Sequence, residues 1–256
     1  MKELRSIRQL DNRQLSQKIK YALFENIKES IHGNELLKLP KEEVLAQQLG
    51  VSRNGLRDVL TVLEEEGYIS RRRSKGTIVN PKIVNSTCRL DLETELTQMI
   101  AEEGYEPGFE TLQIKFVEEE DPVLGPEEKR YLLVEKVFYA DNDPVAYCID
   151  RFAGTVAEKG AQHMEQLRAS SHFDFMEQCC NDSIACVLAD IIPVLPGENI
   201  ARLLQISADT PVLCLEDTGF NYDHTTVLHA TLYLKSGKLN YKILIKRFCV
   251  VVGVFV

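Results

Sequence analysis

From Asn12 to Ile31 the apolar residues Leu15, Ile19, Ala22, Leu23, Ile27 and Ile31 recur at steps of three and four, the period of a helix buried along one side. Gly33 follows as a stop. Pro40 precedes a shorter helix, Glu42–Leu49, whose inner face is Val44, Leu45 and Leu49, and Gly50 permits a tight turn after it. Ser52 stands where an N-cap is needed, and a third helix runs from there to about Glu66. Its Leu56, Val59, Leu60 and Leu63 gather on one side, while Asn54, Arg57, Asp58 and Thr61 lie opposite and Arg53 flanks them. Gly67 ends that helix, and the β-like runs YIS and GTIV then bracket RRRSK, which reads as a hairpin with a charged tip.

Past residue 80 the pattern changes. NPKIVNSTC has no period and reads as a linker, so the chain divides into 1–80, a linker at 81–90 and a body at 91–256. In the body a helix over 91–103 is closed by Gly104. Strands are expected at 110–117, 131–139 and 145–152, the last two joined by ADNDP. Two helices (155–167 and 171–181) and a strand at 184–194 come next, and PGENIARLLQI opens a further helix with Pro and Gly at its start. Strands at 211–220, 227–234 and 241–250 complete a largely antiparallel sheet. The expected fold is two-domain α+β: three helices with a hairpin, then one sheet with helices against it.

The 256 residues are 44% hydrophobic and 27% charged, ordinary for soluble globular proteins. No window offers the ~20 consecutive apolar residues of a membrane helix, and MKELRSIRQLDNRQ lacks the apolar stretch of a signal peptide. A cytosolic protein without membrane association is expected. Seven cysteines, an odd number without a C-x-x-C pair, agree with a reducing compartment. The terminal FCVVVGVFV is too short to span a bilayer and reads as a terminal strand or a buried edge rather than an anchor.

Charge sharpens the division. The net charge is −9, yet residues 1–80 carry 15 basic and 11 acidic side chains against 15 and 28 in the remainder. Only the N-terminal part is suited to a polyanion. A helix with Arg53, Asn54, Arg57 and Thr61 outward fits a major groove, where Arg pairs with guanine and Asn with adenine. The tip residues Arg71, Arg72, Arg73 and Lys75 suit phosphates. Together these elements read as a winged helix-turn-helix on double-stranded DNA.

The stretch LPKEEVLAQQLGVSRNGLRDVLTVLEEEGYISRRRSKGTIV resembles the DNA-binding domain of the GntR family of bacterial transcription regulators. The resemblance carries the two recognition-helix arginines onto Arg53 and Arg57, matches Ser52 and Thr77, and keeps Lys75 and Gly76 in the wing. Two positions depart: Glu43 stands where the family often has Arg, and Ser74 replaces a wing glycine. No DNA contact is carried onto Glu43.

Roughly residues 88–250 are similar to the UTRA domain of the HutC subfamily, with its chorismate-lyase-like fold. The similarity rests on GYEPGFETL, ADNDPVAY, PGENIARLLQISADTPVLCLE and VLHATLYLKSGKLNYKI. It implies a homodimer whose C-terminal domain binds a small metabolite and thereby alters DNA affinity. The positions of two sugar-phosphate-binding arginines hold Lys136 and Phe138, an acidic position holds Cys148, and a helix-start Ser and a late-strand Tyr correspond to Ser171 and Tyr233. The effector-binding set is therefore Lys136, Ser171 and Tyr233, and a less charged or more apolar effector than a sugar phosphate is expected.

His172, Cys179, Cys180 and Cys186 lie close in sequence, and His172 and Cys179 share a face at helical spacing. Buried, core-like cysteine is the stronger reading of these residues. No catalytic residue, metal or cofactor is expected. The leading expectation is a ligand-responsive, dimeric bacterial regulator, a repressor acting on a pseudo-palindromic operator. Its alternatives are a lyase-like enzyme with a DNA-binding appendage and a non-specific architectural DNA binder.

Overall fold

The computed structural model describes residues 15–31, 37–72, 74–92, 94–125, 129–180 and 183–246. The expected Gly33 stop, Arg73 of the wing and the terminal run 247–256 lie outside them. The chain forms two compact units, one drawn from Met1–Glu93 with Tyr241–Val256, the other from Thr94–Asn240.

The first unit opens with α1 (Leu15–Ser30), α2 (Glu42–Leu49) and α3 (Arg53–Glu65). Their periodic positions meet in one core: Ile19, Leu23 and Ile27, then Leu45 and Leu49, then Leu56, Val59, Leu60 and Leu63. Each such side chain gains roughly 1.5–3 kcal/mol on leaving water, which fixes the face each helix turns inward. Val44, expected inside, is exposed. α2 stops at Gly50, whose φ of 70° lets its N–H return to the Ala46 and Gln47 carbonyls. Ser52 caps α3 by accepting from the Gly55 N–H. Glycine at 55 keeps this cap close to α1, because a Cβ there would lie 3.2 Å from Ser52 Oγ and 3.6 Å from Ile19 Cδ1.

β1 (Ile69–Arg72) pairs antiparallel with β2 (Gly76–Val79), placing Ile69 opposite Val79 and Arg72 opposite Gly76. Residues 37–39 extend this hairpin through the Lys38–Ile78 bridge, with Leu39 N donating to Thr77 O at 3.0 Å and Val79 N to Leu37 O at 2.8 Å. Three helices and a hairpin with a third short partner make the expected winged helix-turn-helix.

The expected linker is more ordered than its composition indicates. It opens with a helical turn, α4 (Pro81–Val84), and its tail docks on the same unit. Residues 241–246, expected to add a strand to the body's sheet, run beside that tail instead. Lys242 bridges Arg89 in parallel, Leu90 N donates to Lys242 O at 2.8 Å, and Lys242 N donates to Cys88 O at 2.9 Å. Arg89, 4% exposed, holds this strap down. Its guanidinium donates to the Glu66 carbonyl at 2.7 Å and to both Asp91 oxygens at 3.2 and 2.5 Å, and lies 5.2 Å from the Tyr68 ring centroid. Asp91 also accepts from Leu244 N at 3.1 Å. That use of Asp91 explains why the helix expected from residue 91 begins only at Leu96, as α5 (Leu96–Glu102).

The second unit contains β3 (Pro107–Val117), β4 (Tyr131–Ala140), β5 (Asp143–Phe152), α6 (Gly154–Gln162), α7 (Met164–Ala169) and α8 (His172–Phe175). A π-helical turn, Met176–Cys180, leads to β6 (Cys186–Val194), α9 (Gly197–Leu203), β7 (Val212–Phe220) and β8 (Thr226–Leu234). The six strands form one antiparallel sheet in the order β3-β4-β5-β8-β7-β6. Residues of α6, α7, α8 and the π turn pack over Leu132, Phe152, Leu228 and Ala230 on one face. Ile200 and Leu203 of α9 pack with Val137, Tyr147 and Val212 on the other. The helix expected over 155–167 breaks at His163 (φ −125°, ψ 42°), and that over 171–181 changes to π geometry at Met176.

Candidate nucleic-acid interface and effector face

α3 presents its polar side to solvent. Arg53, Asn54, Arg57, Asp58 and Thr61 are exposed, and the side chains of Arg53 and Arg57 are 52% and 56% accessible. Both arginines reach the first turn of α2. Arg57 Nε donates to Glu42 Oε2 at 3.0 Å, Arg53 Nη1 donates to Glu43 Oε1 at 2.9 Å, and Arg53 Nε lies 3.7 Å from Glu42 Oε2. Ser52 spends its oxygen on the cap, which leaves its O–H as a donor.

The hairpin is braced against α3 by Arg71. Its backbone N–H and Nε each donate to the Glu64 carboxylate at 2.7 Å, and its Nη2 donates to Thr61 Oγ1 at 3.1 Å. Partial burial pushes the Glu64 carboxyl up, but these bonds more than offset it and hold the group below its ordinary value. Arg71 and Thr61 are therefore joined to one another in the scaffold, while Arg72, Lys75 and Gly76 are exposed at the hairpin's end and Thr77 is half-buried. Lys38 joins this edge, since a Cβ on Gly76 would come within 2.9 Å of its Cε. Sequence reasoning missed Lys38 because it lies before α2, far from the wing in the chain.

The effector set is brought together only in part. Lys136, on β4, is opposite Cys148 of β5, and Cys148 is opposite Leu232 of β8. Tyr233, the next residue, therefore points to the other face, where it stacks on Tyr147 at 6.1 Å. Lys136 and Ser171 share the face of α7 and α8. Lys136 is 2% exposed, and its Nζ donates to the carbonyls of Leu167, at 3.0 Å, and Ser170. Burial pushes its pKa down against the attraction of Asp150. Ser171 caps α8 by accepting from Asp174 N at 3.0 Å and donates to Glu95. Both residues thus have partners within the protein. Phe138, on the same strand as Lys136, packs beside Phe109 at 5.7 Å.

Other groups on this face were not singled out from the sequence. Asp150 is buried, accepts from Cys148 Sγ at 3.2 Å and lies 3.4 Å from His172 Nδ1. Burial pushes the Asp150 carboxyl up and the His172 imidazole down, yet their mutual attraction outweighs burial in both, holding the carboxyl below and the imidazole above its ordinary value. Burial first, then the adjacent carboxylate, raises the Cys148 thiol and keeps it protonated. Across Ala230 from Asp150 stands Asp217, whose buried Oδ1 has no hydrogen-bond partner among the described residues. Burial raises this carboxyl to about 6. An acid directly after an apolar run is the signal that could have found them: Asp150 follows Val145–Ile149 in β5, and Asp217 follows Leu213–Leu215 and Glu216 in β7.

His172 faces Asp150, and the π turn interrupts the helical spacing that would align it with Cys179. Among the described residues no group of three or more His, Cys, Asp or Glu could hold a metal ion. No helix among them is long and apolar enough to cross a membrane.

Comparison with known proteins gives two domain matches, the UTRA domain over residues 102–239 and the bacterial regulatory proteins of the gntR family over 17–79. The HTH-type transcriptional repressor NagR of Bacillus subtilis is 27% identical over 228 residues, covering 86% of this chain and 91% of that protein. The Escherichia coli mannosyl-D-glycerate transport/metabolism system repressor MngR is 26% identical over 207 residues, covering 78% and 84%. Among solved structures, the possible transcriptional regulator YydK of B. subtilis superposes with a TM-score of 0.70 at 15% identity, covering 91% of this chain and all of its own. PhnF of Mycobacterium smegmatis gives 0.53 at 18%, covering 89% and 99%. At these identities the two structures speak for the fold.

Proposed function

Because the chain belongs to the UTRA-domain family and joins that domain to a gntR-type DNA-binding region, it is a ligand-responsive transcriptional regulator, and we propose that it is a cytosolic, HutC-type repressor acting as a homodimer on a pseudo-palindromic operator. The observation that carries the reading is the exposed side of α3, with Arg53, Asn54 and Arg57, beside an exposed hairpin end bearing Arg72 and Lys75. α3 reads base edges, and the wing, with Lys38, meets phosphates. Repressors named among the relatives favour repression.

The homodimer reading is supported by β6, an edge strand exposed along its length with Val187, Leu188, Ile191 and Ile192 uncovered. In this reading the C-terminal domain binds its effector without transforming it, on the face holding Lys136, Ser171, Asp150 and Asp217. The ammonium of Lys136 already serves two carbonyls and the neighbouring acids are ionisable, which favours an effector other than a sugar phosphate.

Selection of duplexes from a random library, followed by binding across a salt series, tests the DNA reading. Arg57→Ala is expected to cost ~1–3 kcal/mol and relax base preference, while Arg72→Gln weakens every duplex and lowers the salt slope by about one. If both variants bind as the parent does, the assignment of α3 and the wing is wrong. Thermal-shift screening tests the effector reading, since a ligand at 100 times its Kd stabilises by ~2.7 kcal/mol. A hit that is consumed on incubation would favour the enzyme alternative instead.

A further inference from the structure

Two carboxylates of α2 stand among the two arginines of α3, and they act on different nitrogens. Glu42, at 24% side-chain accessibility, sits behind the pair and takes Arg57 through Nε, the nitrogen set back from the tip of the guanidinium. Such a contact orients Arg57 while leaving its terminal N–H groups forward. Glu43 is 69% accessible, at the outer rim, and takes the terminal nitrogen Nη1 of Arg53. That is one of the nitrogens a guanidinium extends to a base or a phosphate.

We infer that Glu43 is a specificity-determining residue of the DNA-binding surface, which withholds Arg53 from phosphates and releases it only toward base edges. The inference rests on the DNA-binding reading above. A guanidinium has five N–H donors in a rigid fork. A guanine needs two of them and is uncharged, so Arg53 can pair with O6 and N7 while a remaining Nη1 hydrogen stays on Glu43. A phosphate that approaches Arg53 meets the Glu43 carboxylate at the same rim, and the like charges oppose one another. Arg53 must then abandon Glu43, which is left facing an anionic backbone with no counter-charge. The penalty falls on backbone-only encounters and spares the specific complex. The observed affinity ratio between operator and random DNA is thereby widened, and that ratio decides occupancy when competing sites are abundant.

The test compares the parent with E43Q, R53A and the double variant E43Q/R53A, using a duplex selected by the parent from a random library and a scrambled duplex of the same length and composition. Glu43 is exposed on α2 outside the core, so E43Q is expected to keep the parent's circular dichroism and melting temperature. E43Q should bind the scrambled duplex about tenfold more tightly, with the selected duplex changing less than threefold and the salt slope on scrambled DNA steepening by about 0.9. In the R53A background E43Q should shift both duplexes by the same factor, because no arginine remains for Glu43 to withhold. The inference is overturned if E43Q leaves the ratio unchanged, or if it alters the ratio equally with Arg53 absent, which would make Glu43 a general repulsive charge. A parent that selects no duplex at all, or binds scrambled and selected DNA alike, would overturn the DNA-operator reading first and this inference with it.

Discussion

Arg89→Met should loosen the DNA-binding unit by about 2–4 kcal/mol. The Arg89 side chain is 3% accessible and makes three hydrogen bonds, one to the Glu66 carbonyl at the end of α3 and two to Asp91. Methionine fills most of the space but donates nothing. Breaking a buried ion pair by removing one partner ordinarily costs ~3–5 kcal/mol. Asp91 keeps 23% accessibility, so water recovers part of the loss and the expectation lies lower. The pH dependence is a second signature. Burial pushes the Asp91 carboxyl up, but the Arg89 bonds more than offset this and hold it below its ordinary value. A carboxylate depressed in the fold stabilises above its unfolded pKa, ~3.9, and that stability is lost as pH falls through the folded value. The cost of Arg89→Met is thus full at pH 7 and shrinks below about pH 4. Amide hydrogen exchange at Tyr68, Ile69 and along α3 reads it locally. Adding Asp91→Asn removes the stranded charge and should return at least ~1 kcal/mol. A penalty below ~0.5 kcal/mol at pH 7, an equal penalty at pH 3.5, or strict additivity in the double variant would refute the reasoning.

Two further outcomes are expected. Asp217 is raised to about 6 by burial, with the charges of Asp150 and Glu216 adding to it, so the native state holds a proton that the unfolded chain releases from ~3.9 upward. Stability contributed by this group falls as pH rises across that window. Asp217→Asn should therefore stabilise by about 1–2 kcal/mol at pH 7.5 and by nothing at pH 3.5, measured by urea denaturation. Ser52→Ala should cost ~1 kcal/mol of helix-capping energy, whereas Ser52→Asp retains the acceptor for Gly55 N–H and the stability while weakening DNA binding through its charge, as melting and gel shift together will show.

The helical head was legible because its signals are local. Leu56, Val59, Leu60 and Leu63 repeat at the period of a helix, Ser52 and Gly50 mark its ends, and the wing strands alternate around a turn. The effector set was less legible, since the side of a sheet on which a residue falls depends on pairing register. Tyr233 and Lys136 separate because Cys148 is opposite Leu232; a shift of one residue would have put them together. Nor could periodicity show that Arg53 and Arg57 meet the acids of α2, or that Asp91 is taken by Arg89 rather than by a helix. Those contacts join residues from separate elements, and only the fold brings them within reach.

The strap at 241–246 also bears on how such regulators can be recombined. The wall against which Gly67 rests includes Leu244, whose Cδ2 lies 2.4 Å from where a Cβ at Gly67 would be, and that leucine is encoded more than 170 codons downstream. A chimera that grafts residues 1–93 onto a foreign sensor leaves this wall behind, uncovers Gly67 and takes the Leu244 N–H away from Asp91. A transplant that keeps the reader intact must carry two separate pieces of the gene, with the sensor inserted between them like a bead on a closed loop.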